Sequence, residues 1–327
     1  MLFLVTNRRI TDGAYADEEK PHKKFEYQYA YSSSEDRFTK VGKKGFEVAL
    51  FSQLDKLQQS GINTPKVGIY LHGFNNNYQQ SIDEIVDLEQ SLTAQSGYSP
   101  VIIGFSWPST GKAAYYLSDR EEARDSVGAF TRFLLDINAL TVKNQQDCFS
   151  TVFCIAHSMG NYLLRKGMEY LSDSLGAPKG RKLFDETIMI APDIASKDIE
   201  IDGKASYIAD FSRRVHVYYS KHDRALKASS AIRFGANRLG RHGANNYGNI
   251  QNNVVIVDAK KYANTEAIKG VMDRDGKQVS VHSAHRYQKS IVADIIQVMS
   301  SIDREQIHGR EAFLQDGELM KNHFRLI

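Results

Sequence analysis

Between Thr151 and Leu164 the chain reads TVFCIAHSMGNYLL, and this stretch leaves few architectures open. Thr151 to Ile155 is a short apolar run rich in β-formers, whereas Tyr162, Leu163, Leu164 and Met168 recur at helical spacing. The spacing therefore predicts a strand that turns abruptly into a helix, with Ser158 on the turn. Ala156 and Gly160 stand two residues either side of Ser158, as small residues must where a strand doubles back tightly and holds a serine at its tip. The small-x-Ser-x-Gly pattern is that of a nucleophile elbow. Taken alone the pentapeptide says little, because serine also caps ordinary helices.

Its context says more. Val67 to Leu71 (VGIYL) is a second buried-strand run, and it ends in His72, Gly73 and Phe74 followed by three asparagines. A loop of this kind can present a backbone amide to a developing oxyanion. Further strand runs lie at Val101 to Phe105, Thr187 to Ile190, Val215 to Tyr219 and Val254 to Val257. Helical spacing lies between them: Phe46 to Leu57, Ile82 to Leu92, Leu117 to Leu140, the elbow helix, and a last helix from about Tyr287 to Met299. Strands alternating with helices predict an α/β chain, a mostly parallel central sheet with helices on both faces. Met1 to Val5 reads as the first strand. Phe25, Tyr27, Tyr29 and Tyr31 alternate with polar neighbours and read as a strand with one buried face, so the tyrosine stripe is taken as sheet core rather than a stacking platform for a base or sugar.

Composition excludes several classes. With 42% hydrophobic and 25% charged residues among 327, and a formal net charge of +3, the chain is neither a disordered nor a nucleic-acid-binding composition. No apolar stretch approaches the length of a bilayer span, and the opening apolar run is shorter than a signal-peptide core. The two cysteines, Cys148 and Cys154, sit too close along one extended segment to close a useful disulfide. They read as buried thiols, and a cytoplasmic location is the expectation.

The sequence resembles the α/β-hydrolase superfamily, and within it a bacterial group of uncharacterised esterase-like hydrolases. The resemblance is carried by His72-Gly73-Phe74-Asn75, Ser106-Trp107-Pro108-Ser109 and His157-Ser158-Met159-Gly160-Asn161, in that order. It covers about residues 1 to 300, which reads as the hydrolase domain. Residues 301 to 327 form a C-terminal extension that reads equally as a packed appendage, a lid or a contact for a protein partner. The one departure in the elbow is Ala156 for the commonest first glycine.

The resemblance implies a serine nucleophile, an acid and a histidine in that chain order. A serine hydroxyl needs a base to take its proton, and the base needs a carboxylate to fix its tautomer. Ser158 is the nucleophile. Asp223, just past the Val215 to Tyr219 run, stands where the acid of such proteins usually sits, and Asp193, one strand earlier, is the alternate. His282 and His285 both precede the last helix. His282 is preferred as base because it is followed by Ser283 and leaves room for a loop before Ile291; His285 is the alternate, with Tyr287 echoing the same pattern. The amides of Phe74 and Met159 are the expected oxyanion donors.

The implied activity is hydrolysis of a small-molecule ester through an acyl-enzyme, with no cofactor and no metal. Acyl transfer and thioester cleavage use the same residues, and a catalytically silent hydrolase fold serving as a binding module is the rival from another class. His72 and His157 read as residues that order their loops, and Trp107 as packing beneath the site. His282 and His285 have the spacing of a helical metal pair but lack a third ligand pattern. Arg233, Arg238, Arg241 and His242 lie between acid and base and read either as a site for an anionic group or as a solvated loop.

Overall fold

The structure is a computed structural model that describes residues 1–11, 14–15, 27–32, 39–97, 100–143, 152–177 and 181–327. Its strands are β1 (Leu2–Thr6), the two-residue pair β2 (Ile10–Thr11) and β3 (Ala14–Tyr15), β4 (Gln28–Ser32), β5 (Thr39–Val41), β6 (Val67–Leu71), β7 (Val101–Ser106) and β8 (Val152–His157). After these come β9 (Phe184–Ile190), β10 (Ser212–Tyr219), β11 (Val254–Asp258), β12 (Arg310–Gln315) and β13 (Glu318–Leu326). The α-helices are α1 (Lys43–Gln59), α2 (Tyr78–Ser96), α3 (Tyr116–Asp125), α4 (Val127–Lys143), α5 (Gly160–Asp173), α6 (Ser206–Asp210), α7 (Arg224–Ile232), α8 (Leu239–His242) and α9 (Lys289–Met299).

All strands except β2 and β3 join one 11-stranded sheet in the order β12-β13-β11-β10-β9-β8-β6-β7-β1-β4-β5. It is parallel from β13 across to β1. Antiparallel strands close both edges, β12 on β13 and β4 with β5 beside β1. Every residue of β6 and of β8 is buried, which is why both strands read as continuous apolar runs rather than alternations.

Two hydrophobic clusters lie on opposite faces. On one, Cys154 and Ala156 of β8 pack with α1, α4 and α5; on the other, Phe153 and Ile155 pack with α2 and α9. Helix α5 places Leu163, Leu164, Met168 and Leu171 in the first cluster, each worth about 1.5–3 kcal/mol of burial. Helix α2 begins with a capping box between Asn77 and Gln80 and stops at Gly97, whose φ is 79°. Its Ile82, Ile85, Leu88 and Leu92 fill the second cluster.

The connection after β6 runs through α2 to β7 on one side, and the connection after β8 runs through α5 to β9 on the other. Since β6 and β8 are neighbours, their two loops diverge at the carboxyl edge of the sheet and leave a crevice between them. Open α/β sheets take their ligands at such a switch point.

Three segments differ from the sequence reading in detail. The long helical region is two helices, α3 and α4, and the last helix starts at Lys289 because Val281–Arg286 forms a 3-10 turn. The C-terminal residues supply β12 and β13, with β13 parallel to β11. Of the tyrosine stripe, the Tyr27 and Tyr29 hydroxyls both donate to Asp136 of α4, and Tyr29 packs on Phe46 of α1; Phe25 lies outside the described residues, as do Cys148 and Thr151. Among the described residues no helix is long and apolar enough to cross a membrane.

Candidate active site

Ser158 follows directly on β8, and its φ of 52° is in the left-handed region. A non-glycine residue held there costs of order 1–3 kcal/mol, so the surroundings must enforce it. They do so from three sides. The Ser158 N–H donates to Ile190 O at 3.0 Å, and the Ser158 carbonyl accepts from Asn161 N and Asp193 N, each at 3.1 Å. The Asn161 side chain donates to Ala156 O at 2.7 Å, tying the strand to the helix behind it. Gly160 leaves no alternative: a Cβ there would stand 2.5 Å from Leu71 O and 2.7 Å from His72 O. A side chain on Gly73 would likewise meet Ser158 Cβ at 3.0 Å, so the loop after β6 passes close against the serine.

That loop is fixed by its histidine. His72 Nδ1–H donates to Gly73 O at 2.7 Å, its Nε2 accepts from Trp107 N at 3.1 Å, and the ring stacks on Trp107 with 3° between planes. Trp107 Nε1–H returns a bond to His72 O at 3.1 Å. Burial, then the nearby Arg8, pushes the His72 pKa down to about 3, so the ring is a neutral brace. Phe74 packs edge-on against Tyr116 at 5.4 Å. Among the described residues the backbone N–H groups of Phe74 and Met159 donate to no protein acceptor.

The third component comes from α7 and the 3-10 turn before α9. Asp223 is the N-cap of α7, its Oδ1 accepting from Leu226 N at 2.9 Å, while its Oδ2 accepts from His282 Nδ1–H at 2.6 Å. Burial would lower the His282 pKa, but the charge of Asp223 and its hydrogen bond prevail and raise it. Burial would raise the Asp223 carboxyl, and the same partner lowers it. His282 and Ser158 both line a cavity of about 610 Å³, together with Phe74, Tyr116 and the inner face of α7. No hydrogen bond joins Ser158 Oγ to His282 in this arrangement, a looseness usual before substrate draws such groups together.

The two alternates stand differently. Asp193 is buried beside the serine, but its carboxylate accepts from Tyr116 OH at 2.7 Å and from the Ser229 hydroxyl, and it pairs with Arg238 Nε at 3.3 Å. It clamps α3 and α7 to the elbow, and among the described residues no hydrogen bond or ion pair joins it to a histidine. His285 is buried with neither ring nitrogen hydrogen-bonded, and burial, then His157 and Arg286, drives its pKa well below the usual range. It is a neutral ring packed 4.4 Å from His157.

His157 does more than order its loop. Its Nε2–H donates to the His282 carbonyl at 3.0 Å, joining the elbow to the segment that carries His282, and its Nδ1 stands 3.7 Å from Glu84. Burial lowers its pKa in spite of Glu84. Glu84 in turn accepts from Tyr70 OH at 2.8 Å and from Arg286 Nη1 at 2.5 Å. Burial opposes its charge, yet Arg286 and then His157 hold it well below the ordinary carboxylate range. Glu84, Arg286 and Tyr116 escaped the sequence reading. The available signal was a glutamate on the apolar face of α2, between Ile82 and Ile85.

The arginine group between acid and base does not act as a unit. Arg238 is spent on Asp193, Arg241 donates to the Asp223 carbonyl at 2.7 Å, Arg233 is half-buried and His242 is exposed. A shared anion site built from all four is thereby excluded. Among the described residues no group of three or more His, Cys, Asp or Glu could hold a metal ion.

A family model described as alpha/beta hydrolase of unknown function (DUF900) matches residues 51–298, from α1 through α9. An uncharacterized protein of Nostoc sp. (strain PCC 7120) is 30% identical over 174 residues, 44% of this chain and 44% of the relative, so the match spans less than half of that protein's length. Among solved structures, esterase B of Lactobacillus rhamnosis inhibited by a tributyrin phosphonate is 13% identical, with a TM-score of 0.30 over 53% of this chain and 60% of that one. A double mutant of the esterase E40 is 14% identical, with a TM-score of 0.34 over 74% and 77%. The phospholipase PlaB of Legionella pneumophila, solved with thio-NAD, is 14% identical, with a TM-score of 0.30 over 78% and 66%. Likenesses this faint carry neither fold nor chemistry across. The architecture rests on the strand order and on the family match.

Proposed function

The chain belongs to the alpha/beta hydrolases of unknown function, and from that premise we propose that it is a serine hydrolase that cleaves carboxylic esters through an acyl-enzyme. The observation that carries the reading is the 2.6 Å bond from His282 to Asp223 on the wall of the same cavity that receives the strained Ser158. With Nδ1–H held by Asp223, Nε2 of His282 is the nitrogen left to serve as base, on a residue that lines the same cavity as Ser158.

In this mechanism Ser158 Oγ bonds to the ester carbonyl carbon while its proton passes to His282 Nε2. The tetrahedral oxyanion takes the N–H groups of Met159 and Phe74, each worth about 3–4 kcal/mol where such donors have been removed. Collapse breaks the bond to the alcohol oxygen, which leaves with the proton from His282. Water, deprotonated by the same nitrogen, then attacks the acyl-serine, and Ser158 is released reprotonated. A thioester, or an acceptor other than water, would engage the same groups.

The test is labelling with a fluorophosphonate together with turnover of short p-nitrophenyl esters. Wild type is expected to label and to turn over, and Ser158→Ala to do neither while keeping its fold. Turnover that survives Ser158→Ala removes the nucleophile assignment. A correctly folded wild type that neither labels nor hydrolyses removes the enzyme.

A further inference from the structure

One wall of the cavity, helix α7, lies in a strongly basic stretch of the chain. Helix α7 turns Ala225, Leu226, Ala228 and Ile232 toward the cavity. From Lys221 to His242 the chain carries six Lys or Arg against a single acid, Asp223, so this short stretch alone exceeds the +3 of the whole chain. Asp223 is buried on His282 and offsets nothing at the surface. Lys221, Arg224 and Lys227 are exposed and Arg233 half-exposed, and among the described residues none of the four forms an ion pair.

At the end of α7, Ile232, which lines the cavity, is 45% exposed, and Phe234, two residues further on, is 99% exposed. Phe234 also has a φ of 58°. A bulky side chain in that region is strained, and here the strain holds an aromatic ring entirely in water, so no contact within the chain accounts for it. Tyr116 of α3 also lines the cavity, and its chain neighbours Tyr115 and Leu117 are 47% and 56% exposed. The cavity residues Tyr116 and Ile232 are thus chain neighbours of projecting apolar side chains, and α7, which supplies one wall, carries unpaired cations.

We propose that α7 and the turn after it dock this protein on an anionic phospholipid surface, and that its ester is a membrane lipid whose acyl chain passes from the bilayer along Ile232 into the cavity. The proposal rests on the hydrolase reading for the chemistry but not for the docking. Protein partners meet a broad complementary area. A lone aromatic at the tip of a turn needs none, because a bilayer closes around whatever enters it, while scattered cations find anionic headgroups without fixed geometry.

Co-sedimentation of Ser158→Ala with phosphatidylcholine vesicles, with and without phosphatidylserine, reads the docking without any turnover. Binding is expected on the anionic vesicles and is expected to weaken as salt rises. Phe234→Asn should cut the partition coefficient roughly tenfold or more, and Lys227→Ala roughly fivefold. Asparagine tolerates φ > 0, so the Phe234 change does not endanger folding, and hydrolysis of a short soluble ester should be unchanged by it. No binding to anionic vesicles at low salt overturns the proposal. So does binding that Phe234→Asn leaves intact, or capture by polyglutamate as strong as by vesicles, either of which would mark a charge-only surface. Docking by Ser158→Ala alongside an inert wild type would keep the surface and discard the hydrolase.

Discussion

Asp223 serves two partners with two oxygens, which allows its structural and chemical contributions to be separated by one substitution. Asp223→Asn keeps the Oδ1 acceptor for Leu226 N, and asparagine caps a helix as well as aspartate does. The amide nitrogen then faces His282 Nδ1 where a carboxylate oxygen accepted its proton. An NH₂ there can only donate, so the ring must take the tautomer with the proton on Nε2, and the nitrogen turned to Ser158 ceases to be a base. The expected loss in kcat is about 10⁴, or about 5.4 kcal/mol of barrier, with urea stability within about 1 kcal/mol of wild type. Asp223→Ala should lose the cap as well, for about 1 kcal/mol more. The pH dependence supplies an independent reading. His282 is raised by Asp223 against its burial, so turnover in wild type should fall as pH drops through a value above 6.5, where the base becomes protonated. The pair's stability contribution is bounded on both sides: the raised histidine contributes fully below its unfolded pKa and is lost as pH rises through the folded one, and the lowered aspartate contributes above its unfolded pKa and is lost in acid. In Asp223→Asn the largest raising influence is gone and burial opposes only the weaker pull of Asp193 and Glu84, so the residual acid limb should move to lower pH. A loss below 10²-fold, or an acid limb that stays in place, would refute the assignment of the acid.

Arg286→Met leaves Glu84 charged and buried without its partner, and should cost about 3–5 kcal/mol in urea denaturation; a cost under about 1 kcal/mol would show that the pair is solvated. His285→Leu removes two ring nitrogens that have no partner and should be neutral or stabilising with labelling retained, whereas His282→Leu should abolish labelling; the opposite ranking would make His285 the base. Gly160→Val forces a Cβ against Leu71 O and His72 O and should yield insoluble or unlabelled protein. Gly42→Ala, where a Cβ meets nothing within 4 Å, is its control, and comparable losses in both would refute the steric account of the elbow.

What could be read from the sequence was decided locally. The elbow was legible because a strand run, a small-residue turn and a helical run follow one another within a few residues of Ser158. The parallel sheet was legible because β6, β8 and β11 are buried on both faces and so lack alternation. The polar group beneath the site was not, because its members meet only in the fold: Arg286 reaches Glu84 across 202 positions. The arginine group stayed open between two readings for the converse reason. Arg233, Arg238 and Arg241 are close in sequence, but the turn of α8 sends Arg238 inward to Asp193 and Arg241 to the Asp223 carbonyl at the start of α7.

The C-terminal extension shows the same limit at the edge of the sheet. Mixed charges and scattered apolar residues gave no period, since β12 is an edge strand with neither face fully covered. What anchors the segment is pairing with β11, where Ile256, Val257 and Asp258 align with His323, Phe324 and Arg325. Phe324 and Leu326 enter the core cluster that holds α9, and His323 is held between Tyr247 and Phe313, each 4.0 Å from its ring. An unpaired β11 would offer a row of free N–H and C=O groups beside apolar side chains, the arrangement that recruits other chains. By taking that position, β13 moves the open edge outward to β12, whose Glu311 and Arg310 are charged and whose register breaks between Ala312 and Leu314. Charge and an irregular register are what keep a sheet edge from pairing further, so the extension closes the sheet on the side nearest Asp223 and leaves the mouth beside α7 uncovered.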